Sequence, residues 1–524
     1  MTTPPPTDMT PPPPPPPPSV TVLPAGVLDA SHATDSIILA GWVLDTPIDP
    51  QRVQRAWAQL VAAWPLLVAR LHHDPQTHQW EYHLSDPPRL TNSFASLTLT
   101  APMHTHYTPA QPTPFISCVP KQNPHHLYTP HGPRAVADLL DRAADRPLVH
   151  LHVSVFADGA LIGLSVPHIL CDGHGVVGIA RALGSIMLGG PPPPPLDLAD
   201  PFARYVVRDP KEASALPAPP GWRVLGIMGT LLLLARMAWE GLWASNAIEN
   251  KDVYFPPEEV KRIKGEAMED IRRELGAQTE RYVSSSDAVL AYLLKLAHPP
   301  TRSRAPLTVF YTANLRHLLH GRLRWPYLRN TVAMPITPPL PVCSLSRISL
   351  GALALRIRDT VRAQLAPEAS ETWLRWRLAH ARDLKLFFGP WRGRYNVVTN
   401  WREMRLMEVD FSGALPEGGR AADGGGGGGR AADGGGEGEG KAGKEDGKDG
   451  DGEERKVRCV YAWGDGLQPY VLQHWIGLWA DDPRGGMWTS AFMPRWVWRD
   501  MRGFGRIIRE TEERAKAAAA EGGR

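Results

Sequence analysis

Residues 149–187 read Val-His-Leu-His-Val-Ser-Val-Phe-Ala-Asp-Gly-Ala-Leu-Ile-Gly-Leu-Ser-Val-Pro-His-Ile-Leu-Cys-Asp-Gly-His-Gly-Val-Val-Gly-Ile-Ala-Arg-Ala-Leu-Gly-Ser-Ile-Met. An alternating run, an Asp158-Gly159 turn and a second apolar run predict a β-hairpin. Val176, Val177, Ile179, Ala180, Leu183, Ile186 and Met187 then recur at helical spacing, which predicts a helix with a buried stripe. Between hairpin and helix stands His168-Ile-Leu-Cys-Asp172-Gly173. A neutral imidazole titrates near physiological pH and can take a proton from an alcohol or amine, provided that its ring is held and aimed. Asp172 can help by bonding the ring, or by fastening the turn through backbone N–H groups or an arginine. The second fits better, because Gly173 and a helix N-terminus follow directly.

Working outward, the chain has 524 residues, 43% of them hydrophobic, enough for a large core in two to four domains or one two-lobed enzyme. With 57 basic and 54 acidic residues the net charge is +3, and no basic stripe interleaved with aromatics points to nucleic acid. Cys118, Cys171, Cys343 and Cys459 are widely spaced, without the pairing of a zinc ribbon or a disulfide scaffold. The expected location is therefore cytoplasmic. Cys171 and Ser165 have no nucleophile motif around them; Cys171, between apolar neighbours, reads as a packed thiol. His72, His73, His125 and His126 lack ligand spacing and read as surface polar residues, and no metal is expected at His168, Asp172 and His174.

Pro-rich residues 1–18 read as a disordered tail. Ile37–Leu44 reads as a buried strand, and Val53, Trp57, Leu60, Val61 and Trp64 mark an amphipathic helix ended by Pro65. Residues 100–133 read as an irregular connection and 134–146 as a short helix. In 222–247, Val224–Ala235 is twelve residues without charge, too short to span a bilayer, and Arg236 and Glu240 can pair four apart. This segment reads as a buried or interfacial helix, and it is the expected point of any peripheral or integral membrane association. Helices are expected from Pro256 to about Leu275, after the Ser284-Ser-Ser-Asp287 cap, over 345–366 and from about Pro494. Residues 418–456 are almost devoid of apolar side chains and are expected to stay disordered. Their Gly438, Gly440 and Gly443 fit G-x-G-x-x-G, but no strand precedes them, so no dinucleotide site is expected.

Several segments together carry a resemblance. Pro167–Gly175 with its hairpin resembles the HxxxDG region of the BAHD acyltransferase superfamily, most of all its trichothecene O-acetyltransferase-like branch. Trp64–Leu71, Ser284–Tyr292, Asn314-Leu-Arg316, Tyr327–Asn330 and Thr399-Asn-Trp401 resemble further family segments, in family order. The resemblance implies an α/β fold of two lobes, each similar to chloramphenicol acetyltransferase, with the active-site channel between them. It divides the chain into a first lobe at 19–190, a crossover linker with the apolar helix at 191–250, a second lobe at 251–417, the insertion 418–456, the rest of the second lobe at 457–512 and a tail at 513–524.

The implied reaction moves an acyl group from acyl-coenzyme A, a co-substrate rather than a bound cofactor, to a hydroxyl or amine of a small, secondary-metabolite-like acceptor. His168 would be the general base, Asp172 and Gly173 would build its turn, Arg316 would pair with Asp172, and Thr399 and the Trp401 indole are oxyanion candidates. A monomer is expected. The chain departs from the family at Asp410-Phe-Ser-Gly413-Ala, where the family has D-F-G-W-G and uses the loop to support the channel from the second lobe. The alternatives are a condensation-type enzyme using a carrier-protein thioester, against which Pro167 stands where such domains usually have a second histidine, and a non-catalytic, membrane-associated relative.

Overall fold

The computed structural model describes residues 19–31, 35–122, 124–224, 226–242, 248–319, 327–380, 386–388, 393–416, 456–467 and 474–522. The tail 1–18 and, except for Lys456, the insertion 418–456 lie outside the described residues.

The hairpin forms as read: His150–Val155 runs antiparallel to Ala160–Pro167 with His150 opposite Ser165, and the Phe156 amide donates to the Gly159 carbonyl at 2.9 Å. All residues of both strands are buried. They form the centre of a five-stranded sheet in the order Cys459–Leu467, Ile37–Leu44, Ala160–Pro167, His150–Val155, Phe94–Thr98. The helix Gly173–Met187 packs its apolar stripe against Pro50–Ala63, which begins at an Asp49 cap and stops before Pro65. A buried Val, Leu or Ile side chain stabilises such a layer by about 1.5–3 kcal/mol.

The second lobe is built on a larger sheet: Val332–Ala333, Pro306–Asn314, Arg394–Asn400, Trp475–Asp481, Met487–Pro494, Ile248–Phe255 and Ser117–Pro120, with Leu340–Pro341 paired to Pro306–Asn314. Helices Pro257–Leu275, Ser285–Ala297 and Leu350–Gln364 pack together over it, and the Ser284/Asp287 capping box forms. Pro306–Asn314 and Arg394–Asn400 are parallel, Thr312 opposite Thr399, so both strands end on the same side of the sheet. This common end carries the second lobe's share of the site.

The sheets do not respect the sequence boundaries expected for the lobes. Cys459–Leu467, within the segment assigned to the second lobe, pairs with Ile37–Leu44 of the first sheet. Ser117–Pro120, within the stretch read as irregular, pairs with Ile248–Phe255 of the second. Each lobe thus completes the other's sheet edge, which satisfies backbone groups that would otherwise be left open. Four residues ending in a proline carry too little periodicity to be read as a strand. The helix expected over 134–146 is limited to Ala137–Leu140. The expected terminal helix is broken into Arg495–Arg499 and Phe504–Gly522, and the second piece continues through the segment taken as a tail, in keeping with its alanine content.

The uncharged segment forms the helix Ile227–Leu242, and it is not buried. Ile227, Met228, Leu231, Leu234 and Trp239 are exposed, Trp239 by 63%, while Arg236 donates to the Gly393 carbonyl at 2.7 Å. The side chain of Glu240 lies outside the described set, as does the expected Arg236–Glu240 pair. Among the described residues no helix is long and apolar enough to cross a membrane.

Candidate active site

The turn after the hairpin is held by its backbone from three directions. The His168 amide donates to the Ser36 carbonyl at 2.8 Å. The His168 carbonyl accepts from Asn330 Nδ2 at 2.8 Å, and the Ile169 carbonyl accepts from the Tyr82 hydroxyl at 2.7 Å. Asn330 is itself fixed by Asp29, whose carboxylate accepts from the Asn330 side chain at 2.9 Å and from Arg329 Nε at 2.7 Å. Asp29 and Arg329 are fully buried, and burial, the strongest influence on Asp29, raises its carboxyl although Arg329 opposes it.

Asp172 does not serve the histidine ring. It caps the Gly173–Met187 helix, accepting from the Gly175 amide at 3.2 Å. Its two oxygens take a bidentate pair of bonds from Arg316 at 2.8 and 2.9 Å. The Thr331 amide and hydroxyl, each at 3.0 Å, complete the set. Burial, the largest single influence, works against the charge. The Arg316 guanidinium, with His174 and the Thr331 N–H, outweighs it and holds the carboxyl well below the usual carboxylate range. Of the two roles open to Asp172 in the sequence, this is the fastening one.

The ring of His168 is thereby left to itself. It is half-buried, and its Nδ1 is buried without a hydrogen-bond partner among the described residues. The neighbouring Cys171 thiol is fully buried, pushed far above its ordinary pKa by that burial, and so is inert. His174 is half-buried, which lowers its pKa.

The second lobe meets this turn through the common strand end. Arg316 follows Pro306–Asn314, and Thr399 and Trp401 stand at the end of Arg394–Asn400. Trp401 is anchored by its amide to the Leu478 carbonyl at 2.7 Å. Its indole lies flush against Gly173: a Cβ there would stand 2.6 Å from Trp401 Cε2. Gly173 is therefore required by this close approach. The structure brings His168, Asp172, Gly173, Arg316 and Trp401 together, and it puts half-buried Thr399 at the same sheet end.

Asp410 and Gly413 lie elsewhere. Among the described residues the exposed Asp410 carboxylate accepts from the Ser412 amide of its own turn, at 2.8 Å, and its backbone carbonyl lies on Gly184. Gly413 lies against the backbone of Met187 and Leu188, where no Cβ fits. Phe411 and Ala414 are buried in the first lobe's core, Phe411 edge-on to Trp42 at 5.7 Å. The loop is thus a clasp on the far half of the Gly173–Met187 helix, not the channel support from the second lobe that the sequence suggested. The altered residues fit the clasp, because Ser412 Oγ accepts from the Val457 amide at 2.9 Å.

Sequence reading alone missed Asp29, Tyr82 and Thr331 as parts of the site. Asn330 was visible only inside the Tyr327–Asn330 segment. An aspartate and a tyrosine so far from the motif in sequence leave no local signal.

No family model matches the chain. Acetyltransferase MATC1 of Mycosarcoma maydis is 24% identical over 456 residues, covering 75% of this chain and 84% of that protein. Transcriptional regulator calD of Penicillium decumbens is 24% identical over 428 residues, 77% of this chain and 84% of that protein. Among solved structures, TRI101 of F. graminearum, complexed with coenzyme A and deoxynivalenol, superposes with a TM-score of 0.59 at 12% identity, covering 92% of this chain and 97% of that one. Vinorine synthase superposes with a TM-score of 0.54 at 12% identity, over 91% and 94%. The likeness to both structures shows a shared fold over nearly the full length, and the sequence relatives include several named acetyltransferases. The chain thus shares the fold of TRI101 and of vinorine synthase, and in sequence it is similar to acetyltransferases at 24–25% identity.

Proposed function

We propose that the protein transfers an acyl group from acyl-coenzyme A to a hydroxyl or amine of a small acceptor, with His168 as general base. The observation that carries this reading is the division of labour in the motif. Asp172 is wholly engaged by Arg316, Thr331 and the helix N-terminus, while the turn's backbone is braced by Ser36, Asn330 and Tyr82. These bonds fix the turn through its backbone and Asp172, which leaves the imidazole ring for proton transfer.

In the proposed reaction the acceptor's proton moves to the imidazole as its oxygen or nitrogen attacks the thioester carbonyl. The tetrahedral oxyanion calls for a preorganised donor, and the Thr399 hydroxyl and Trp401 indole N–H are the candidates on the second lobe. Collapse expels the coenzyme A thiolate, which takes the proton back from the imidazolium. His168→Ala is expected to lower the rate of free-thiol release by ~10²-fold or more while the circular dichroism spectrum stays unchanged. Full activity in that variant would dismiss the general-base role.

The exposed row Ile227, Met228, Leu231, Leu234 and Trp239 supports peripheral contact with a lipid surface, its apolar face turned outward and Arg236 engaged inward. Co-sedimentation with liposomes is expected, and it should be lost in a Leu231→Ser/Trp239→Ser variant. Equal sedimentation of both proteins would reject this surface as the contact.

A further inference from the structure

On the hairpin Arg70–His73/Trp80–Asp86, His72 stands directly opposite Glu81, and His83 lies two residues on, opposite Arg70. Cross-strand partners share a face of a sheet, as do residues two apart on one strand. His72, Glu81 and His83 therefore converge on one side, which places His72 in a cluster rather than among isolated surface polar residues. Glu81 Oε2 lies 3.0 Å from His83 Nε2 and 3.7 Å from His72 Nδ1. The three ligand atoms all lie within 4.8 Å of one another. Around a tetrahedral zinc ion with bonds of about 2.0–2.2 Å, ligand atoms stand roughly 3.3 Å apart, so the two N···O separations bracket that geometry.

A second observation concerns His72 itself. Its Nδ1 is buried and has no hydrogen-bond partner among the described residues, although the ring as a whole is 31% exposed. The neighbouring charges leave room for a cation. Arg70, opposite His83, is turned to Asp145 by a bidentate bond at 2.8 and 3.2 Å, and Arg89 shares the same carboxylate, so this trio keeps one positive charge, held at Asp145. Asp74 adds a negative charge near His72. Arg142 Nη2 lies 3.2 Å from His72 Nε2; it is exposed and can swing aside when that nitrogen takes up the ring proton.

We propose that His72 Nδ1, Glu81 and His83 Nε2 form a zinc site, completed by a water molecule, that clamps this hairpin. Two imidazoles and a carboxylate suit that borderline ion. The clamp has a consequence across the sheet. Between Glu81 and His83 stands Tyr82, pointing to the opposite, buried face, where its hydroxyl holds the carbonyl of Ile169 next to His168. Zinc on the outer face would pin the strand that braces the motif turn on the inner face. The site itself does not depend on the acyl-transfer reading.

The test is isothermal titration of the untagged, metal-stripped full chain with zinc chloride, alongside melting curves with and without zinc. Wild type is expected to bind one equivalent that Glu81→Gln and His83→Asn each lose or bind at least ~10-fold more weakly, and its zinc-dependent rise in melting temperature should vanish in both. These substitutions change half-exposed side chains, and matched far-ultraviolet spectra establish that the variants are folded. Absence of zinc binding by wild type, or an unchanged equivalent and affinity in both variants, would overturn the site.

Discussion

Arg316→Met tests whether the Arg316–Asp172 pair is the central fastening of the site. The Asp172 side chain is 4% exposed and that of Arg316 21%, so most of the pair is removed from water. Replacing Arg316 with methionine keeps the volume of the stem but withdraws two short bonds from a buried carboxylate. The amide and hydroxyl of Thr331 and the amide of Gly175 remain, so the carboxylate keeps hydrogen bonds but loses its counter-charge. Breaking a buried pair from one side costs about 3–5 kcal/mol. The carboxyl would also lose what holds its pKa down, and the variant should recover part of its stability in mild acid as Asp172 takes up a proton.

The controlling measurement is a double-mutant cycle with Asp172→Asn, read by urea denaturation and by coenzyme A thiol release. In the Asp172→Asn background, Arg316→Met should cost clearly less, because no buried charge is orphaned. A coupling of about 1–3 kcal/mol is expected between groups in such direct contact. Activity should fall in both single variants, because the His168 turn loses its geometry. Additive costs, or an Arg316→Met penalty under about 1 kcal/mol, would refute the idea that this pair fastens the turn.

Gly173→Ala places a methyl group 2.6 Å from the Trp401 indole, and overpacking of this kind costs about 1–3 kcal/mol; thiol-release kinetics should fall further in this variant than in Gly265→Ala, where a Cβ meets nothing. Gly413→Ala should lower the denaturation midpoint, because the clasp on Met187 has no room for a Cβ, and an unchanged midpoint would show that the loop is not packed as described. Acid sensitivity should come from buried imidazoles: burial pushes His152 and His298 down to about 4. A histidine whose folded pKa lies below its unfolded value of ~6.5 binds fewer protons when folded, so stability is retained above that value and is lost as pH falls from about 6.5 towards 4, by up to ~1.4 kcal/mol per pH unit for each group. Melting temperatures across pH 4–8 should show this slope, and His298→Gln should flatten it.

Much of the site was legible because its parts are local. A hairpin needs alternation and a turn, a capped helix needs Asp172 before Gly173, and the reach of a general base depends on one imidazole. The strand ends carrying Arg316 and Trp401 could be named only through resemblance, since nothing within either segment says that parallel pairing of Thr312 with Thr399 brings them to one edge. The exposed helix at 227–242 shows a limit of hydropathy: an apolar run predicts a buried or interfacial face but not which neighbours cover it.

By itself the sequence determined the elements around His168, the short-range chemistry of its motif and, through motifs in order, the two-lobed architecture. Tertiary structure alone decided what those elements do to one another. It spent Asp172 on Arg316 and Thr331, braced the turn with Tyr82 and the Asp29–Asn330 network, exchanged a strand between the lobes in each direction and turned the Asp410 loop into a helix clasp. The physical reason is range. Helix and hairpin signals act over a few residues, whereas the partner of a buried charge is set by which strands share an edge, and here those partners stand 144 and 159 residues away.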